Sequence, residues 1–157
     1  MNWKVRMAAV PIGLACSLVS RAAQPEPGGF DISKMRPDLV AELRRAWRLA
    51  ERGDSNRETA VLIVRTPDGA YASELKQDPS GYQTVTFQVR PGVVAIFHTH
   101  PNRSPAQPSP QDIHNSDRLQ VPNFTLTSRG MWLYDPAARK TTLVMPFLSW
   151  LTARNWQ

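Results

Sequence analysis

Cysteine is nearly absent from this chain, and the one present, Cys16, excludes an internal disulfide. No apolar run is long enough to span a bilayer. The longest, Met7 to Val19 with only Ser17 polar, falls short of the about 20 residues that a hydrocarbon core of about 30 Å demands. Internal repeats, low-complexity tracts, phosphate-binding glycine loops and nucleophile elbows are also missing, which removes repeat arrays, P-loop chemistry and one large class of serine hydrolases. Acidic residues are in deficit, 13 against 19 basic, for a formal charge of +6 and a pI near 10.1. Such a balance ordinarily points to nucleic acid or a membrane surface.

The start of the chain accounts for much of that charge. Lys4 and Arg6 precede the apolar run, and Ser20-Arg21-Ala22 follows it. Charged head, short apolar stretch and small-x-small site are the parts of a secretory signal peptide, expected over residues 1–22. Cleavage after Ala22 removes Lys4, Arg6 and Arg21, so 16 basic residues face 13 acidic ones, a net +3. The expected location is therefore outside the cytoplasm, periplasmic or secreted. The alternative is a lipoprotein cut before Cys16 and anchored through it, because Gly13-Leu14-Ala15 puts a small residue just ahead of the cysteine. Residues 23–35, with Pro25, Pro27, Gly28 and Gly29, read as a linker, and 36–157 as one domain.

What is present is a legible order of elements. Pro37 to Arg52 predicts an amphipathic helix with Leu39, Leu43, Trp47 and Ala50 on one stripe, Asp38 in the first turn and Gly53 as the C-terminal cap. Thr59–Arg65 and Ala70–Leu75, joined by Thr66-Pro67-Asp68-Gly69, predict a hairpin. Tyr82 to Arg90 alternates, with Val85, Phe87 and Val89 on one face, and Val93 to His98 is an apolar strand of the kind buried on both sides. A proline-rich loop leads to a helix opening at Ser109. Strands follow at Phe124–Ser128, Met131–Tyr134 and Thr141–Met145, and an apolar tail with Phe147, Trp150, Leu151 and Trp156 is expected to dock as a short helix. Helix, strands, helix, strands is an α+β order with a mixed, mostly antiparallel sheet flanked by helices.

The chemistry gathers where the apolar strand ends, at His98-Thr99-His100-Pro101. Residues two apart in a strand share a side, so both imidazoles can converge on one ion at about 2.0–2.1 Å while Thr99 points away. By themselves two such histidines are as well explained by core packing. Ser109-Pro110-Gln111-Asp112 likewise reads as a capped helix start that needs no function. Taken together, the helix start offers Asp112 as a third ligand beside the Ser109 hydroxyl. Two histidines and one carboxylate leave a fourth tetrahedral position for water, as in catalytic zinc sites.

His98, His100 and Pro101, then seven residues, then Ser109 and Asp112 resemble the H-x-H-P-x(7)-S-x-x-D signature of the JAMM (MPN-type, JAB-domain) zinc metalloproteases. The resemblance spans about Glu58 to Met145. It implies a JAB/MPN, cytidine-deaminase-like layer arrangement, Zn2+ held by His98, His100 and Asp112, and Ser109 stabilising the carbonyl oxygen. It also implies a glutamate general base on an earlier segment of the sheet. Glu58, directly before Thr59–Arg65, fits that place, and Glu74, at the end of the next strand, fits it less well. The reaction implied is hydrolysis of a peptide or isopeptide bond, with a peptide, protein or cell-wall amide as substrate. The chain lacks the large insertions with which ubiquitin-cleaving members grip their substrate. Rival readings are a catalytically inactive scaffold of the same fold and a basic nucleic-acid binder. His114 and Asp117 read as surface or supporting residues, because His114 stands about 200° around the helix from Asp112.

Overall fold

A computed structural model describes residues 30, 32, 35–78 and 82–152, together with the backbone of residues 3–7. Its core element is a six-stranded sheet in the order β3-β2-β5-β6-β7-β8, formed by β2 (Thr59–Arg65), β3 (Tyr71–Gln77), β5 (Val93–Thr99), β6 (Asn123–Thr127), β7 (Gly130–Asp135) and β8 (Lys140–Met145). All neighbours run antiparallel except β5 and β6. That parallel pair requires a crossover, and helix α2 (Pro110–Leu119) supplies it. The strand ends of β5 and β6 therefore open on the same side as the N-terminus of α2, which is where open α/β sheets bind ligands.

Each face of the sheet has its own cover, because β2 and β5 carry apolar side chains at odd and even positions alike. Val61, Ile63, Phe97, Phe124 and Leu126 meet Leu39, Leu43, Ala46 and Trp47 of helix α1 (Pro37–Leu49) and Leu151 of α3 (Ser149–Thr152). Phe97 and Phe124 stack with centroids 4.3 Å apart and planes at 9°. On the other face, Ala60, Leu62, Val64 and Ile96 meet Val85, Phe87 and Val89 of β4 (Val85–Val89) and Val121 after α2. The expected hairpin and the doubly buried β5 are present in this sheet, and the alternating β4 packs on its face as part of a separate two-stranded sheet.

Some details differ from the sequence reading. Helix α1 ends at Leu49 and gives way to a 3-10 turn, Glu51–Gly53, in which Glu51 and Arg52 adopt positive φ. Asn102, from the loop after β5, reaches into that turn: its N–H donates to Gly53 O at 2.7 Å and its Nδ2 to Arg52 O and Asp54 Oδ1. A Cβ on Gly53 would stand 2.5 Å from Asn102 Oδ1, so glycine is required by contact as well as by its φ of +81°. In the tail, Leu151 is buried but Phe147 is exposed, and the side chains of Trp150 and Trp156 lie outside the described residues.

Strand β1 (Trp3–Met7) lies within the expected leader and pairs antiparallel with β4, Trp3 opposite Val89 and Met7 opposite Val85. Cleavage after Ala22 would take β1 away and leave that edge of β4 open. The rest of the expected leader and most of the linker, including the Cys16 anchor and the Ala22 site, lie outside the described residues. Among the described residues no helix is long and apolar enough to cross a membrane.

Both rings of the stacked pair are buried, and they join β5 to β6. Phe124→Ala is expected to lower the unfolding free energy by about 3–5 kcal/mol in urea titration, with the fold retained by circular dichroism.

Candidate metal centre

The site is assembled by two registers. In the first, β2 pairs with β5 so that Ala60 faces His98, and Glu58, two residues before Ala60, is buried close enough to His100 and Asp112 to feel the charge of both. Thr59 and Thr99 lie on the far side. The Thr59 N–H donates to Thr99 Oγ1 at 3.0 Å, and the Thr59 hydroxyl donates to Ala46 O of α1 at 3.0 Å, so helix and both strands are pinned directly beneath the site. In the second, the capping box of α2 orients its acid: Asp112 N–H donates to Ser109 Oγ at 3.2 Å and Ser109 N–H to Asp112 Oδ2 at 2.7 Å. Capping and ligation are thus the same geometry, since the cap aims Asp112 back at the strand end.

The His98, His100 and Asp112 side chains are buried and offer ligand atoms that all lie within 4.8 Å of one another. His98 Nε2 and His100 Nε2 are 3.0 Å apart, and each is 3.4 Å from Asp112 Oδ2. Two ligands bound tetrahedrally at about 2.0–2.1 Å stand about 3.3–3.4 Å apart, so the triangle has the edge lengths that one small divalent cation requires. His100 Nδ1 donates to Pro105 O at 2.9 Å, which leaves its Nε2 bare toward the other two ligands. The buried His98–His100–Asp112 group can therefore hold a metal ion.

Charge in the site is distributed unequally between two acids. Burial pushes the Glu58 carboxyl from 4.5 up to about 7; His100 draws it down and Asp112 pushes it up, and the desolvation wins. Asp112 is also buried, which works to raise it, yet the charges and hydrogen bonds of His98 and His100 outweigh that and hold it well below the ordinary carboxylate range. One acid thus stays an ionised carboxylate while the other carries a proton up to near neutrality.

The remaining sequence candidates separate clearly. Ser109 stands at the N-cap, half-buried, its oxygen accepting from Asp112 N–H and its own proton taken by no described residue. Glu74 is opposite Leu62 on β3, ion-paired to Lys76 at 3.0 Å and to Arg90, and so is not brought to the site. His114 is exposed, and Asp117 accepts from the Tyr134 hydroxyl at 2.8 Å, a structural contact between α2 and β7. The sequence reading missed Asn102 and Pro105, whose roles depend on loop contacts that no local pattern signals. It also missed a group of buried polar residues on β6, at Asn123 and Thr125. Their alternation with Phe124 and Leu126 was the available signal.

No family model, curated protein or solved structure matches this chain. The site is therefore defined by its own distances and burial.

The elevated Glu58 gives a signed pH dependence for the metal-free protein. Its carboxyl ionises near 4.5 when unfolded and near 7 when folded, so the unfolded chain releases the proton first. Stability is expected to fall as pH rises from 4.5 to 7, by on the order of 3 kcal/mol, and to level off above. Urea titrations across that window should show this slope in the wild type and its loss in Glu58→Gln.

Proposed function

We propose that this protein is an exported zinc-dependent hydrolase that cleaves a peptide or isopeptide bond. The single observation that carries the reading is the buried triangle of His98, His100 and Asp112 with the buried Glu58 beside it, within electrostatic reach of His100 and Asp112. The resemblance of these residues and of Ser109 to the JAMM signature supports the same assignment, as does the α+β sheet in which they sit.

Zn2+ bound by His98 Nε2, His100 Nε2 and an Asp112 oxygen would supply Lewis acidity, polarising the scissile carbonyl and lowering the pKa of water to about 7. Glu58 acts as general base: its carboxylate takes the proton of the attacking water and returns it to the leaving amine. Its position on the buried side of the strand, with a carboxyl raised to about 7, matches the driving force for both transfers near neutral pH. The Ser109 hydroxyl, with its oxygen committed to the helix cap and its proton free of described partners, donates to the developing oxyanion. Asp112 holds charge opposite the two imidazoles, and Pro105 O keeps the His100 ring from turning.

The substrate class is a peptide, protein or cell-wall amide. No large insertion interrupts the segment from Glu58 to Asp112, which favours a small or flexible substrate over a folded one.

Purified protein is expected to contain one equivalent of zinc and to hydrolyse members of a mixed panel of peptides, isopeptide conjugates and cross-linked cell-wall fragments. Glu58→Gln should keep the zinc and lose about 10²–10⁴-fold in rate. Protein without stoichiometric zinc, or a Glu58→Gln variant at the wild-type rate, would remove the proposal.

A further inference from the structure

The two histidines of the centre are not supported alike. His100 has a carbonyl partner for its Nδ1, but His98 Nδ1 is fully buried and bonds to no described group. It does not stand alone. Parallel pairing puts Thr125 of β6 beside His98, and antiparallel pairing puts Trp132 of β7 beside Thr125, so the three side chains form one row across the face that α2 covers. Asn123 lies two residues before Thr125 on that same face. Thr125 Oγ1, Trp132 Nε1 and both amide atoms of Asn123 are buried and equally without described partners.

Helix α2 closes this row from above. Its ends are located by Asp112 at 3.4 Å from His98 and by Asp117 at 2.8 Å from the Tyr134 hydroxyl, and Tyr134 is the β7 partner of Asn123. Asn115 falls between these two contacts. It is 3% exposed; its Oδ1 accepts from Gln111 Nε2, and its Nδ2 has no described partner. His98, Asn115, Asn123 and Thr125 are all more than nine-tenths buried, so bulk solvent does not satisfy them.

Buried polar groups that lack protein partners are satisfied by internal water, and a stable internal water needs about two to four of them. Donors dominate here: the two amide nitrogens and the Trp132 N–H require acceptors, which the lone pairs of water supply. Resting on the reading of His98, His100 and Asp112 as a cation site, we propose that this band encloses ordered water which accepts from His98 Nδ1–H and is held by Thr125 and its neighbours. Thr125 is then a positioning residue. Through that water it fixes the His98 tautomer and ring orientation, so that Nε2 faces the cation, as Pro105 O does directly for His100. Supports of this kind typically change metal affinity by about 10–100-fold.

The test measures Zn2+ affinity of the whole chain by competition with a chromogenic chelator. Thr125→Val, which keeps the shape and removes the hydroxyl, is expected to weaken Zn2+ by about 10–100-fold, and Thr125→Ser to restore it to within about threefold of the wild type. Equal affinity in Thr125→Val and wild type overturns the inference and leaves the cation site standing. Failure of the wild type to bind Zn2+ overturns both. Should Thr125→Val not fold, a high-resolution crystal structure of the wild type decides. Water within about 3.2 Å of both His98 Nδ1 and Thr125 Oγ1 is the expected result, and a dry contact or a different Nδ1 partner is the contrary one.

Discussion

Everything at the site depends on the register between β2 and β5. Ala60 faces His98, and that one alignment decides which side of the sheet receives Glu58, His98 and His100. A slip of β2 by one residue against β5 would turn Glu58 toward α1 and bring Thr59 to the side of His98 and His100. Two constraints hold the register. Apolar side chains on both faces of each strand have distinct covers, and Thr59 ties the pair to α1 through Thr99 Oγ1 and Ala46 O. The short polar link is buried among aliphatic residues, where a mismatched register would leave its hydroxyls without partners.

On that frame the electrostatics follow from burial and neighbours. Two carboxyl groups in a desolvated pocket cannot both be charged cheaply unless cationic or hydrogen-bonding groups compensate. Asp112 has two imidazoles and the Ser109 N–H at hand and remains ionised. Glu58 has less compensation, and desolvation dominates its behaviour. The different protonation of the two acids thus arises from position in the fold, since they have nearly the same chemistry in isolation.

The capped start of α2 shows how one local feature serves two ends. Ser109, Pro110 and Asp112 would begin a helix in any protein. Placed after a crossover from β5, the same cap points the acid at the histidines. The loop between them is in turn anchored by Asn102 in the turn that follows α1, a contact that requires Gly53. The separation of 50 positions between Asn102 and Arg52 explains why neither partner could be identified from its neighbours in the chain.

Local pattern alone determined most of the elements and the spacing of the three residues that can hold a metal ion. Apolar runs with β-branched residues delivered β2 and β5 at nearly their full extents, and the His-x-His and Ser-x-x-Asp spacings named His98, His100, Ser109 and Asp112. These are properties of residues within a turn or two of one another, where backbone periodicity fixes direction. Tertiary structure alone placed Glu74, a mid-strand residue of β3, against Arg90 as well as Lys76 and brought the buried Glu58 within electrostatic reach of His100 and Asp112, because Arg90, His100 and Asp112 come from segments distant in the chain. It also decided the premature end of α1 at the Glu51–Gly53 turn and the buried polar row behind His98. Those features depend on which strands lie side by side and what packs over them, and that is settled by burial of the whole sheet rather than by any one stretch of it.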